Sequence, residues 1–421
     1  MKKLTALSAC LALFTSNIAL ADNITAWVID AKIESPFFQQ LQTKFNEKYK
    51  TENINVELKA IPGLNEAIQA AWMAKDMPDI LFVDGPNMAN YVWSGMLKPI
   101  NNLLDKDVLE QTISGLISQG TYPPDNQLYM LGMGDSSVLL WGNKKYLDAA
   151  GIVIPTSIQD AWNYDEFTEV LEKLSKVEGV KWPLDFNVGM SGEWMTYGYF
   201  PLVVSNGGNI INSDTMRAEG AINSAATLDA ANKMQNWVNK GYIVPKTAGA
   251  NRFFSDKSAA MMWIGNWMWP TFNESLGDDL VLIPVPKFGE RAFSPNGGWG
   301  WAVSSTSKKD SEVSKFLNFA LSENQEIEWA NYTGYIPGRK DAIEAMPLFA
   351  AGGKLHMLAE QAQHIALVRP VHPAYPVLTK EFGKAMEYIL NGSDPSATLN
   401  KAAQNIDRDI EDNDGYPPFD K

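Results

Sequence analysis

Five tryptophans fall in two glycine-broken runs: Trp263, Trp267 and Trp269 within residues 259–272 (AAMMWIGNWMWPTF), and Trp299 and Trp301 within 296–303 (NGGWGWAV). Gly265 and Asn266 belong to the first run; Asn296, Gly297, Gly298 and Gly300 belong to the second. An indole face beside glycine suits a flat ligand with apolar faces and a polar rim, because glycine lets the backbone come close. A pyranose ring is such a ligand: its C–H faces stack on indole while its hydroxyls require hydrogen-bond partners. The same rings could instead fill a core. Tryptophan is seldom completely buried and its N–H needs a partner, which favours a binding wall for the group taken together. The carboxylates Asp30, Glu34, Asp84, Asp135 and Glu193 could accept from sugar hydroxyls. In a glycosidase, one pair of them would flank a scissile bond at about 5–5.5 or 6.5–9.5 Å. Arg369, in VRPVHPAY, could donate a forked pair of bonds to vicinal hydroxyls or order its proline-rich segment through a salt bridge.

Other chemistries fit poorly. Gly134-Asp135-Ser136-Ser137 has the form of an esterase nucleophile block, but that reaction needs a histidine base. The three histidines, His356, His364 and His372, lie far along the chain. They recur every eight residues, which matches neither i,i+4 metal spacing nor HExxH, so no metal site is expected. Asp412-Asn413-Asp414-Gly415 resembles a calcium loop, yet Ile410 and Lys421 stand where that loop wants Asp and Glu. No P-loop and no dinucleotide glycine fingerprint follows the first strand, and no cofactor is expected.

The elements that would position these residues follow an alternating pattern. Ile24 to Ile29 reads as a buried strand; Ser35-Pro36 opens a helix whose apolar stripe is Phe37, Leu41 and Phe45. Residues 54–58 alternate as a strand, 64–75 form a helix and 79–83 a second buried strand. This is the grammar of a doubly wound α/β lobe, in which ligands sit beyond the carboxyl ends of strands. The loops after the first strand (Asp30, Glu34) and after the third (Asp84, Asn87) therefore matter most. From Tyr129 to Trp141 the chain is apolar except for Asp135, Ser136 and Ser137, which suggests a crossing between lobes with side chains turned to a cleft. Later helices are expected over 164–177, 224–239, 311–321 and 397–411, with Ser322 opening another through a capping box. Residues 192–200 form a third aromatic cluster bounded by glycine.

The amino terminus carries Lys2 and Lys3, an apolar run from Leu4 to Phe14 and then Ala19-Leu20-Ala21, the form of a secretory signal peptide cleaved after Ala21. A lipoprotein site at Leu7-Ser8-Ala9-Cys10 would strand apolar residues downstream of the cut. Cys10 is the only cysteine, so the expected mature chain holds no disulfide. Of 421 residues, removal of 21 leaves 400, which suits two lobes. The net charge of −14 becomes −16 once Lys2 and Lys3 leave, and no basic run serves nucleic acid or anionic lipid. Neither nucleic acid nor membrane insertion is expected, and a monomer is.

Several blocks occur in a recognisable order: Met77-Pro78-Asp79-Ile80, Leu140-Trp141-Gly142-Asn143-Lys144-Lys145 with Ala150-Gly151-Ile152, Ser205-Asn206-Gly207-Gly208, residues 254–267, Gly297-Gly298-Trp299-Gly300 and residues 333–339 (TGYIPGR). With these the chain resembles the family 1 extracellular solute-binding proteins of ABC importers, the group that includes maltodextrin and trehalose/maltose binders. The resemblance implies a periplasmic-binding-protein type of α/β fold, two lobes around a hinge and ligand cleft. It implies crossings near Asp135, Trp299 and Tyr332, with lobe I as 22–135 plus 300–332 and lobe II as 136–299 plus 333–421. By position it assigns ligand contacts to Asp30, Glu34, Asp84, Asn87, Asp135, Ser136, Trp194, Asn266, Trp267, Gly298, Trp299 and Arg369, with no catalytic residue. One departure is Ser255-Asp256-Lys257-Ser258, where the family usually has glycine. The expectation is a periplasmic receptor that hands a disaccharide or short oligosaccharide, an α-glucoside favoured, to the permease subunits of an ABC importer. The alternative is an exported glycoside hydrolase.

Overall fold

In a computed structural model, which describes residues 22–417, the alternating pattern becomes two sheets. The chain opens with β1 (Asp22–Ile29), α1 (Ser35–Lys48), β2 (Ile54–Ile61), α2 (Leu64–Ala74) and β3 (Ile80–Asp84). After β4 (Leu97–Lys98) and β5 (Met130–Gly132) it passes through β6 (Gly134–Asp135) into β7 (Val138–Asn143). There follow α3 (Tyr164–Leu174), β8 (Trp182–Asp185), α4 (Glu193–Ser205), α5 (Ala225–Asn239), β9 (Ala259–Gly265) and β10 (Leu280–Ile283). It returns by β11 (Ser294–Pro295) to β12 (Trp299–Ser304), α6 (Asp310–Ala320) and α7 (Glu323–Thr333). Last come β13 (Ile336–Pro337), β14 (Ala366–Leu367), α8 (Tyr375–Leu390) and α9 (Pro395–Asp412). The expected signal peptide, with Cys10, lies outside the described residues.

The first sheet runs β2-β1-β3-β12-β4, with β5 also on β12. Strands β1, β2 and β3 are parallel and β12 is antiparallel to β3. Its inward residues Ile24, Ala26 and Val28 are buried while Thr25, Trp27 and Ile29, alternating with them, are only partly so, and Phe37, Phe38, Leu41 and Phe45 of α1 close over it. The second sheet runs β8-β9-β7-β10. Its strands β7 and β9 are buried along their whole length, which is why they read as continuous apolar runs. Helix α3 carries the capping box: Asn163 accepts from the amides of Asp165 and Glu166 while Glu166 bonds back to the Asn163 amide. The box expected at Ser322 does not form, because the Ser322 hydroxyl donates to the Phe319 carbonyl instead.

The sheets are joined where short strands pair at a waist. Strand β6 pairs antiparallel with β13, β11 pairs parallel with β14, and Ser136 bridges Gly297. The chain runs through this waist at residues 134–137 and again at 294–298. The third passage differs. Beyond Tyr332 the chain touches the waist at β13 and then stays with the first sheet. The Gly338 carbonyl accepts from Ile113, and Arg339 pairs with Asp107 at 2.8 Å. Its amide also donates to Glu326. The chain joins the second sheet only further on, where Gln361 bonds Ser137, Val138 and Val285. A lobe boundary at 333 therefore falls too early; the buried Arg339 ties that segment back.

Candidate functional site

The ends of β3 and β12 form one wall of a cleft. Their register makes Asp84, the last residue of β3, the direct partner of Trp299, the first of β12, so a carboxylate and an indole stand side by side at the sheet's edge. The Gly298 carbonyl before them accepts from the Gly85 amide at 3.2 Å and from Gln119 at 3.1 Å. A Cβ on Gly298 would lie 2.7 Å from the Gly134 carbonyl oxygen, so only glycine lets these two crossings run so close.

The second sheet and its helices supply the facing wall. Glu193, Trp194 and Tyr197 occupy the first turns of α4 at i, i+1 and i+4, which places Glu193 and Trp194 beside Tyr197 on one face. Trp267 lies in the turn just past β9. A Cβ on Gly265 would sit 1.9 Å from its ring, so glycine lets the indole fold back on its own strand. Trp194 and Trp267 meet edge to face at 6.4 Å, Tyr197 lies 5.9 Å from Trp267, and Tyr335, from the waist, tilts toward Trp267 at 6.5 Å. Ser136 shares a hydrogen bond of 2.8 Å with the Tyr197 hydroxyl. Between the walls lies a cavity of about 200 Å³, lined also by Gly298, Trp299 and Arg369.

Arg369 ties the walls together. Its guanidinium is buried, bonds Glu193, lies 3.7 Å from Asp84 and sits over the Tyr197 ring at 5.0 Å. Glu193 accepts in addition from the hydroxyls of Tyr375 and Thr379, the latter at 2.6 Å. Burial works against the Arg369 charge, but Tyr375, Glu193 and Asp84 around it outweigh that and hold the group above its ordinary value. Burial, opposed by Arg369 and helped by Glu193, leaves the Asp84 carboxyl raised to about 6. Glu34, half-buried, is also raised by burial and acts electrostatically on Tyr335.

Of the expected contacts, Glu34 does not line this cavity and bears on it only through its charge acting on Tyr335, whereas Asp84, Ser136, Trp194, Trp267, Gly298, Trp299 and Arg369 converge on it. Asp135 and Asn266 do not. Asp135 is fully buried and accepts from the Gly297 amide and the Asn296 side chain, each at 2.9 Å; burial lifts its carboxyl to about 7. Asn266 accepts from the Ser137 amide and donates to the Gly334 carbonyl. Both are struts of the waist, where crossing backbone lacks sheet partners and side chains replace them. Asp30 is exposed in a separate groove beside Ser35 and Gln42, and Asn87, in the turn after β3, does not line the cavity. Glu193, Tyr197 and Tyr335 complete the site. Glu193 is among the carboxylates expected to accept from sugar hydroxyls; its spacing to Tyr197 could have revealed the tyrosine, but α4 is buried nearly all round and shows no distinct face.

A larger cavity, about 620 Å³, opens along the outer edge of β10 between Ile154, Trp269, Leu282 and Met357, without converging buried charges. Among the described residues no group of three or more His, Cys, Asp or Glu is placed to hold a metal. No helix among them is long and apolar enough to cross a membrane.

A family model described as bacterial extracellular solute-binding protein matches residues 40–356. Solved structures share the fold at low identity. The sugar-binding protein MalE from Xanthomonas citri superposes with a TM-score of 0.79 at 16% identity, covering 93% of this chain and 98% of that one. The cyclic alpha-maltosyl-1,6-maltose binding protein from Arthrobacter globiformis gives 0.77 at 19%, covering 93% and 99%. An ABC transporter solute-binding protein from Thermotoga lettingae, bound with alpha-D-tagatose, gives 0.73 at 21%, covering 92% and 99%.

Proposed function

Since this chain belongs to the bacterial extracellular solute-binding proteins, we propose that its solute is a sugar, bound between the sheets and passed unaltered to the permease of an ABC importer. One observation carries this: Trp299 from the first sheet and Trp267 from the second line the same small cavity, with carboxylates and an arginine at its edge. The two sugar binders and the tagatose-bound protein of the same fold support the reading. A leader cleaved after Ala21 would export a chain whose first strand begins at Asp22, into a periplasmic compartment.

The energetics agree in scale. Stacking one ring face on indole removes on the order of 80 Å² from water, about 2 kcal/mol at ~25 cal/mol per Å². Three such contacts approach the roughly 8 kcal/mol of micromolar binding before hydroxyl bonds and ordering costs are counted. Stacking thus supplies affinity, while Asp84, Glu193, Ser136 and Arg369 select among epimers. A disaccharide or short oligosaccharide, an α-glucoside foremost, would seat one ring here and extend through the cleft opening.

The test is a titration of intrinsic tryptophan emission with glucose, tagatose, trehalose, maltose and maltotriose, followed by chromatography of the incubated sugars. Saturable quenching with recovered intact sugar is expected. Absence of any saturable response, to these neutral sugars and to charged sugars alike, would remove the sugar reading, and steady appearance of hydrolysis products would replace it with a glycoside hydrolase.

A further inference from the structure

Resting on the sugar reading of the cleft, we infer that the ring seated there carries a positively charged amine, as a hexosamine with a free amino group does. The cavity wall holds two carboxylates, Asp84 and Glu193, against one guanidinium, Arg369, so one negative charge is in excess. Glu34, close enough to act electrostatically on Tyr335, adds a further acid nearby.

The two wall carboxylates are not equally provided for. Glu193 takes a bond from Arg369 and two more from the Tyr375 and Thr379 hydroxyls. Asp84 lies 3.7 Å from the guanidinium, beyond hydrogen-bond range, and among the described residues no side chain donates a hydrogen bond to it. A carboxylate aimed into an aromatic-walled cavity with so few donors is costly, and a cation on the ligand is the group that relieves it best. The rings work in the same direction. Indole and phenol faces attract a cation, and Trp194, Trp267, Trp299 and Tyr335 all border the cavity. Tyr197 already shows the preference by holding Arg369 over its face.

An anionic sugar, such as a uronate or a sugar phosphate, would meet Asp84 beside a guanidinium already engaged by Glu193, and is disfavoured. Size places the charge on the inner ring itself. At about 200 Å³ the cavity falls below the ~300 Å³ lower end of sites for drug-sized ligands, and it accommodates one ring.

Glucosamine, galactosamine and mannosamine are each titrated against the parent hexose and the N-acetylated form, with tryptophan emission as readout. At least one amine should bind about tenfold or more tighter than both of its uncharged counterparts. In Asp84→Asn, whose folding is checked by its thermal transition, that advantage should shrink toward parity. If that variant does not fold, the wild-type comparison decides alone. Neutral hexoses binding as tightly as every amine, or an advantage that survives in a folded Asp84→Asn, would overturn the inference and leave the sugar reading intact. Silence of these sugars and of maltose together would bring down both.

Discussion

Two pairs of tryptophans, each pair within five residues, end in different surroundings. Trp299 and Trp301 project from the same face of β12. Trp301 is wholly buried against Phe38, Phe82 and Phe316, whereas Trp299, two residues nearer the strand's start, is half-buried and borders the cleft. Trp263 lies inside β9 with its N–H donated to the Gly198 carbonyl at 3.0 Å; Trp267, past the strand's end, lines the same cleft from the other side. Residue type is identical in all four. Position along the strand decides the role: bodies of strands are covered by helices, and tips open onto the space between the sheets.

The contrast can be broken or sharpened by substitution. The largest effect is expected from Trp301→Ala, which empties a core site and should cost about 3–5 kcal/mol in denaturant unfolding; a small loss would mean that Trp301 is not core. Next is Asn266→Ala, which strands the buried Ser137 amide and Gly334 carbonyl for about 1–3 kcal/mol each. Its thermal transition should drop, whereas that of a cleft variant should not. Trp267→Ala is that cleft variant: sugar affinity should weaken at least about tenfold, or about 1.4 kcal/mol. The empty protein's transition should be nearly unmoved, and unaltered affinity would refute the role given to the ring.

The smallest effect is on pH dependence. Burial raises Asp84 and Asp185 to about 6 and Asp135 to about 7, above the ordinary value near 4 that the unfolded chain retains. The folded state therefore holds these protons more tightly. The stabilisation is complete below about pH 4 and is lost as pH rises through 6 to 7. The melting midpoint of the empty protein should fall between pH 5 and pH 8, and Asp84→Asn should flatten the slope. A midpoint rising across that interval would contradict the burial of these acids. Asp79, held below its ordinary value by Thr25, Ser307 and Lys309 despite burial, pulls in the other direction only at more acid pH.

The sequence carried the fold further than it carried the site. Elements β1 and β3 and helix α2 lie within a residue or two of their expected bounds, and β2 starts where expected but runs three residues further, because alternation and burial act locally along each element. The polar residues of the crossings were harder. Asp135 and Asn266, set in apolar runs, have the look of ligand contacts, yet they bond the Asn296 side chain and backbone that arrives from residues 297 and 334. No local pattern announces such partners. Asp30 follows a strand tip as a ligand residue would, but the sheet turns that tip toward α1 and its own groove. Tyr335 becomes part of the site only through the bend at Gly334, whose φ of 73° turns the chain back to the waist.

The waist is built from four stretches of one polypeptide, at 134–137, 294–298, 334–337 and 366–367, fastened to one another by paired strands and by Asp135 and Asn266. A joint sewn at several points resists twist and slip while still yielding to bending. Whatever fills the space between the halves would then be announced to the outside as a single tilt, a signal that a distant protein can read without touching the cargo.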